Sequence, residues 1–352
     1  MNVEGVRTIT NTGNTRKAAS SPATGKVAEE VAVEALKQAE KVDEQAVLLA
    51  QALELSKKLA REIDGSLGVR KAVPIRNSFV RNDTPGEYAP LKKLVTGGGG
   101  RGAAVPVMLY VALIWKCAKK PFDAKFPARK WAALLGLPDP SGKGARRIAN
   151  ALQTLADLQL IRLDKSHGEA SNVTLLDESG DGSAYELPST AYSRGGLKRD
   201  YYFKVSSKLW TSGKFQQLGA PGLTMLLILL AEGGYKPSKT SFSNKLGLGL
   251  EGSDVWFTTQ NFPARYGISP SMRSRGTKEL EDAFLLHTNR RPVGPPGTQL
   301  SFTTEKVRKV YVLIGDAVVD DKESEPKRAK KPAAKANTVA KAASKTRRTK
   351  PN

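Results

Sequence analysis

The chain has one cysteine, Cys117, in 352 residues, which excludes an intramolecular disulfide and any multi-cysteine zinc site. Its two histidines, His167 and His287, lie far apart in sequence, and neither belongs to a paired-histidine metal motif of the kind a two-histidine nickase needs. No Ser-His-Asp signature and no carboxylate cluster with a basic partner stands out. The expectation is therefore a protein that is not an enzyme, with no metal and no cofactor. No apolar run reaches the length of a membrane span; the run at residues 223–231 has the size of a buried core helix. Residues 1–24 are polar and lack the apolar block of a signal peptide. Acidic residues are in deficit, 34 against 56 Lys and Arg, and the formal charge is +22. Such an excess favours a polyanion, either nucleic acid or an anionic membrane. With no membrane segment expected, a cytoplasmic, nucleoid-associated protein fits best.

Two glycine-rich stretches lack what a phosphate loop requires. GGGGRG, residues 97–102, is followed by no Lys-Ser or Lys-Thr at P-loop spacing. GLPDPSGKG, residues 136–144, has five residues between Gly136 and the Gly142-Lys143 pair where a P-loop has four, and Gly144 stands where Ser or Thr is needed.

What is present divides the chain into seven stretches. Residues 1–25, rich in Asn, Thr, Ser, Gly and Ala, read as disordered. Residues 26–65 read as a helix, dense in Ala, Glu, Lys, Leu and Gln, with Leu48, Ala52, Leu55 and Leu59 forming one stripe. That stripe suits either packing on its own domain or a dimerising coiled coil. Residues 66–104 read as a basic, Gly-rich connector. Residues 105–177 give a buried helix, a second helix at 128–135, a Pro-Asp-Pro turn, a third helix at about 141–158, and two strands at 160–164 and 172–176. Residues 178–200 read as an interdomain linker or a long surface loop, rich in Gly, Ser and charge. Residues 201–319 run through a strand, a buried helix at 218–232, an irregular insertion at 233–253, two more helices and a two-stranded wing. Residues 320–352 read as a disordered tail; from 326 onward it holds ten Lys or Arg and no acid, so it carries +10 of the +22.

The two middle stretches share an order of elements. LLGL followed by LQTLADLQLI matches RYGI followed by TKELEDAFLL in pattern, not in identity. This order is that of the winged helix-turn-helix, whose second helix usually enters the DNA major groove. The expected fold class is mainly α with small β wings (α+β): two winged helix-turn-helix domains, an N-terminal helix and a disordered basic C-terminal tail.

In the second unit Ser269 caps the recognition helix and Pro270 takes its first position. At 100° per residue, Met272, Gly276, Leu280, Ala283 and Phe284 share the apolar face, with Gly276 allowing close packing. Ser271, Ser274, Arg275 and Lys278 lie opposite, near the amino end. Arg273 projects closer to the apolar face and is the least suited of the set to base contact. Arg reads guanine bidentately, while Ser and Lys more often hold phosphate. In the wing, Arg290 and Arg291 suit a minor groove or phosphate, or else a solubilising hairpin. In the first unit Ala145, Ile148, Ala149, Leu152 and Leu155 form the buried face; Lys143, Arg146, Arg147 and Asn150 point outward, and Arg129 and Lys130 open the preceding helix. This unit serves either DNA or dimerisation.

The succession YYFKVSSKLW, LGAPGLTMLLILL, VWFTTQNFPARYGIS, MRSRGTKELEDAFLL and VYVLI, within residues 201–314, resembles the winged-helix domain of plasmid-type replication initiators. With the first unit, the chain looks like the tandem arrangement of such proteins. The resemblance implies sequence-specific binding to an origin or operator in double-stranded DNA, often as a homodimer, and recruitment of replication or transcription machinery. The insertion at 233–253 and the basic tail depart from the pattern; the tail is similar in composition to those of linker histones and some actinobacterial nucleoid proteins. A transcription regulator acting as an autorepressor, or a nucleoid-associated DNA-coating protein, is the alternative expectation.

Overall fold

In the computed structural model the described residues are 22–68, 71–82, 87–97, 102–165, 169–195, 200–233, 254–292 and 307–319. Expectations for His167, the insertion at 234–253, the wing tip and the C-terminal tail fall outside them. The architecture is α+β, with helices dominant and small antiparallel sheets.

The chain enters through a 45-residue helix, α1 (Pro22–Ser66). Its carboxyl half lies against the body; Ser56, Ala60 and Ile63 are buried. Of the stripe expected from sequence, Ala52 is half-buried and Leu59 packs against the core, whereas Leu48 and Leu55 are exposed and Leu53 and Ser56 turn inward instead. Small residues at Ser56 and Ala60 let the helix approach closely, which leucine at those places would prevent.

The connector expected at 66–104 holds a strand, β1 (Ala72–Arg76), and a helix, α2 (Pro90–Gly97). The strand was hidden by Pro74, a residue that argues against a central strand. All five of its residues are buried.

The first unit then runs α3 (Ala104–Lys116), β2 (Asp123–Lys125), α4 (Ala128–Leu134), α5 (Lys143–Asp157), β3 (Ile161–Asp164) and β4 (Asn172–Leu175). Its sheet has the order β2-β4-β3. The stretch expected as a linker carries a helix, α6 (Pro188–Gly195). After β5 (Tyr202–Ser206) come two single-turn helices, α7 (Lys208–Thr211) and α8 (Lys214–Gln217). The second unit runs α9 (Ala220–Gly233), β6 (Val255–Trp256), α10 (Asn261–Tyr266), α11 (Pro270–Asp282), β7 (Leu286–Pro292) and β8 (Val307–Leu313). Its sheet order, β6-β8-β7, is that of the first unit.

The repeat extends to backbone conformation. Gly136 and Gly267, each between the second and third helix of its unit, have φ of 65° and 64°. Gln159 and Phe284, each at the exit of the third helix, have φ of 56° and 54°. At both exits the next amide reaches back five residues, Leu160 to the Leu155 carbonyl at 3.0 Å and Leu285 to the Leu280 carbonyl at 2.9 Å.

Three devices tie the units together. Strands β1 and β5, which precede the two units, pair antiparallel, with Pro74 opposite Lys204. Trp115 of α3 stacks on Trp210 of α7 with ring centres 5.7 Å apart, inside a core that runs through both units. Ser56 of α1 donates to the Leu134 carbonyl in the first unit and accepts from Gln216 Nε2 of α8 at 2.9 Å.

Candidate nucleic-acid interface

Helix α11 begins as its sequence dictates. Ser269 is the N-cap, its hydroxyl accepting from the Met272 amide at 3.3 Å, and Pro270 follows. The inner face is fixed by contact with α9. A Cβ on Gly276 would stand 2.2 Å from the Pro221 carbonyl oxygen and 2.6 Å from Met225 Cγ. One turn on, the Glu279 carboxylate accepts from the Gly219 and Gly222 amides at 3.0 and 2.9 Å. That carboxylate satisfies free amides at the start of α9 and complements its dipole. The face therefore cannot rotate, and Ser271, Ser274, Arg275 and Lys278 are all exposed. Phe284 was expected on the buried face. Its left-handed backbone, just beyond the helix end, turns it out to 74% exposure.

Arg273 stands apart from its neighbours. Its guanidinium lies 4.7 Å from the Phe262 ring centre, 5.4 Å from Phe257 and 5.5 Å from Tyr311, and it donates to the Tyr311 hydroxyl at 2.9 Å. A cation so enclosed by aromatic faces holds α11 to β8. It is not presented with the exposed row.

In the first unit Lys143, Arg146, Arg147 and Asn150 of α5 are exposed, as are Arg129 and Lys130 at the start of α4. The inner face of α5 is Gly144, Ile148, Ala151, Leu152 and Leu155. Ala149, expected inside, is exposed, and Ala145 is half-buried. Asp139, from the Pro-Asp-Pro turn, accepts from the amides of Gly142 and Lys143 at 3.0 and 2.8 Å. These bonds, that to Lys143 first, hold its carboxyl below the usual range. The loop that superficially resembles a phosphate cradle thus has its amides filled by its own aspartate.

The strand pair β7–β8 of the second unit carries more positive charge than Arg290 and Arg291 alone. Register places Arg290 opposite Lys309 and Arg291 opposite Arg308. Opposed residues of an antiparallel pair share a face, and faces alternate along each strand. Arg290 and Lys309 share the face of Tyr311, the residue that Arg273 of α11 contacts. Arg291 and Arg308 lie on the other face. There Arg291 makes a two-pronged ion pair with Asp254, and Arg308 covers the half-exposed Trp256 at 4.9 Å. Of the two arginines singled out in sequence, Arg290 is on the side of α11 and Arg291 is engaged elsewhere.

A cleft of about 320 Å³ opens beside the first turn of α11, with Ser269 and Met272 on one side and Tyr88, Lys92 and Thr96 on the other. Lys92 Nζ sits 5.7 Å from the Tyr88 ring centre. Sequence reasoning placed Lys92 in a connector. The tertiary packing of Tyr88 and Lys92 against Gly267 brings it to the recognition-helix candidate. Lys309 was legible in principle, since alternation along VRKVYVL puts it on the face of Tyr311.

Among the described residues, no group of three or more His, Cys, Asp or Glu side chains is placed to hold a metal ion. No described helix is long and apolar enough to cross a membrane. No family model matches the chain, and no curated protein or solved structure matches it.

Proposed function

We propose that the chain binds double-stranded DNA through two winged helix-turn-helix units, in the manner of a plasmid-type replication initiator. The observation that carries this reading is the duplicated third helix. Both α5 and α11 bury one face against the first helix of their unit and leave a row of basic and hydrogen-bonding side chains exposed. Arg146, Arg147 and Arg275 suit guanine, Asn150 suits adenine, and Ser271, Ser274, Lys143 and Lys278 suit phosphate or base edges. Arg290 and Lys309 extend the charged surface of the second unit onto its wing, and Arg129 and Lys130 extend that of the first onto the preceding helix.

Footprinting of the full chain and of a chain lacking residues 326–352 tests the reading. A short protected site is expected with both. Arg275→Ala with Lys278→Ala is expected to erase the preference for that site, a loss of about 1–3 kcal/mol for each good base contact. Equal protection of every sequence by the tailless chain would overturn it. Protection beside the chain's own gene alone would favour an autorepressor over an initiator.

A second reading rests on the ten Lys and Arg of residues 326–352. In it the tail coats DNA without sequence preference, in the service of nucleoid structure. Removal of the tail then lowers the salt slope of binding by as much as about 9, if every charge meets a phosphate. An unchanged slope excludes that role.

A further inference from the structure

Leu53, Ser56, Ala60 and Ile63 of α1 and Leu67 just beyond it turn toward the body, in alternating steps of three and four, with Leu59 packed beside them. Followed toward the amino end, the same alternation passes through Leu49, Ala46, Val42, Ala39 and Ala35. This is one uninterrupted heptad seam, buried over its carboxyl half and bare over the rest. Every residue from 37 to 51 is exposed, with Val42 at 62% and Leu49 at 53%. The flanks of the bare portion are Gln38, Gln45, Ala50 and the single charge Asp43, whereas Lys37, Glu40, Lys41 and Glu44 lie on the far side. A helix meant for water alone carries charge beside its apolar stripe; this one keeps it away.

We infer that the projecting half of α1 pairs with the same helix of a second copy, so that the seam begun within the chain is completed between chains. Two observations select this occupant. Residues 34–51 hold four acids and two lysines, a net −2 in a chain of +22, which disfavours a polyanion such as DNA. The flanks, with Asp43 as their single charge, create little like-charge repulsion when the helix meets itself.

The test measures the mass of the full, nuclease-treated chain by sedimentation equilibrium, so that DNA cannot bridge copies. Twice the chain mass is expected. Val42→Glu with Leu49→Glu is expected to halve it without moving the thermal unfolding of the body, because both side chains are exposed and belong to no core cluster of the described residues. Leu48→Glu is the control: Leu48 is as exposed as Leu49, at 51%, but stands off the seam. It should leave the dimer intact. A monomeric wild-type chain, a dimer that survives the double substitution, or dissociation by Leu48→Glu alone each overturns the proposal. DNA binding by a monomer would leave the reading of the previous subsection standing, and a dimer without DNA binding would leave this one.

Discussion

At the scale of single residues, the most informative positions are two of the four described non-glycine residues with positive φ. Gln159 and Phe284 are L-residues in left-handed conformation, at the same place in the two units. That conformation costs an L-residue roughly 1–2 kcal/mol, while glycine adopts it freely but loses about 0.5–1 kcal/mol through its own backbone entropy. Phe284 is almost free of packing, so nothing repays the strain through burial. Phe284→Gly is expected to stabilise the chain by about 0.5–1 kcal/mol, read as a raised urea midpoint at unchanged m-value. A lowered midpoint would mean that the exposed ring has a packing role not visible in its contacts. Arg273 teaches a related point. Beside Arg275 in sequence, it looks like one more cation for DNA; its three aromatic neighbours make it a bolt between helix and sheet.

At the scale of elements, the third helix of each unit is set by what its first helix allows. Gly276 is where α11 meets the Pro221 carbonyl, and no side chain fits. Gly276→Ala is expected to cost about 1–3 kcal/mol through forced separation of α9 and α11. Ser274→Ala, on the exposed side of the same helix, should stay within about 0.5 kcal/mol in the same denaturation assay. Equal effects would show that the close approach is not what limits this helix pair. The three helices and the closing strand pair of each unit were legible in sequence because their periodicities are long enough to read, and because LADLQLI and LEDAFLL align residue for residue. Strand β1 was not legible, since Pro74 interrupts it. Nor were α7 and α8, whose four residues complete barely one turn each. The exposed rows of α5 and α11 followed from helical geometry alone. The contributions of Lys92 and Lys309, and the diversion of Arg291 to Asp254, depend on tertiary contacts that one strand or helix cannot announce.

At the scale of the whole molecule, a buried ion pair joins β1 to the end of the first unit. Arg76 Nη1 meets Glu178, which is fully buried, and lies 3.4 Å from Asp177. Burial pushes the Glu178 carboxyl up to about 7, against the pull of Arg76 in the other direction. Between the ordinary value of 4.5 and about 7, the folded chain retains a proton that the unfolded chain has lost. Stability from this group is fully present below the lower value and declines as pH rises through the upper one. Glu178→Gln is expected to remove that decline, seen as a flatter profile of urea midpoint against pH. A profile unchanged by the substitution would assign the decline to other groups.

The pairing of β1 with β5 also has a consequence in time. Arg76 waits for Tyr202, and Ala72 for Ser206, across about 130 residues of chain. At roughly 5–20 residues per second, a ribosome takes on the order of 6 to 26 s to supply the partner. During that interval the first unit has its own helices and sheet, but its leading strand is open to any other nascent edge. Pro74 offers no amide and makes the strand a poor template for foreign pairing. The same proline that conceals the strand from a reader of the sequence shields it from the wrong partner until the right one is made.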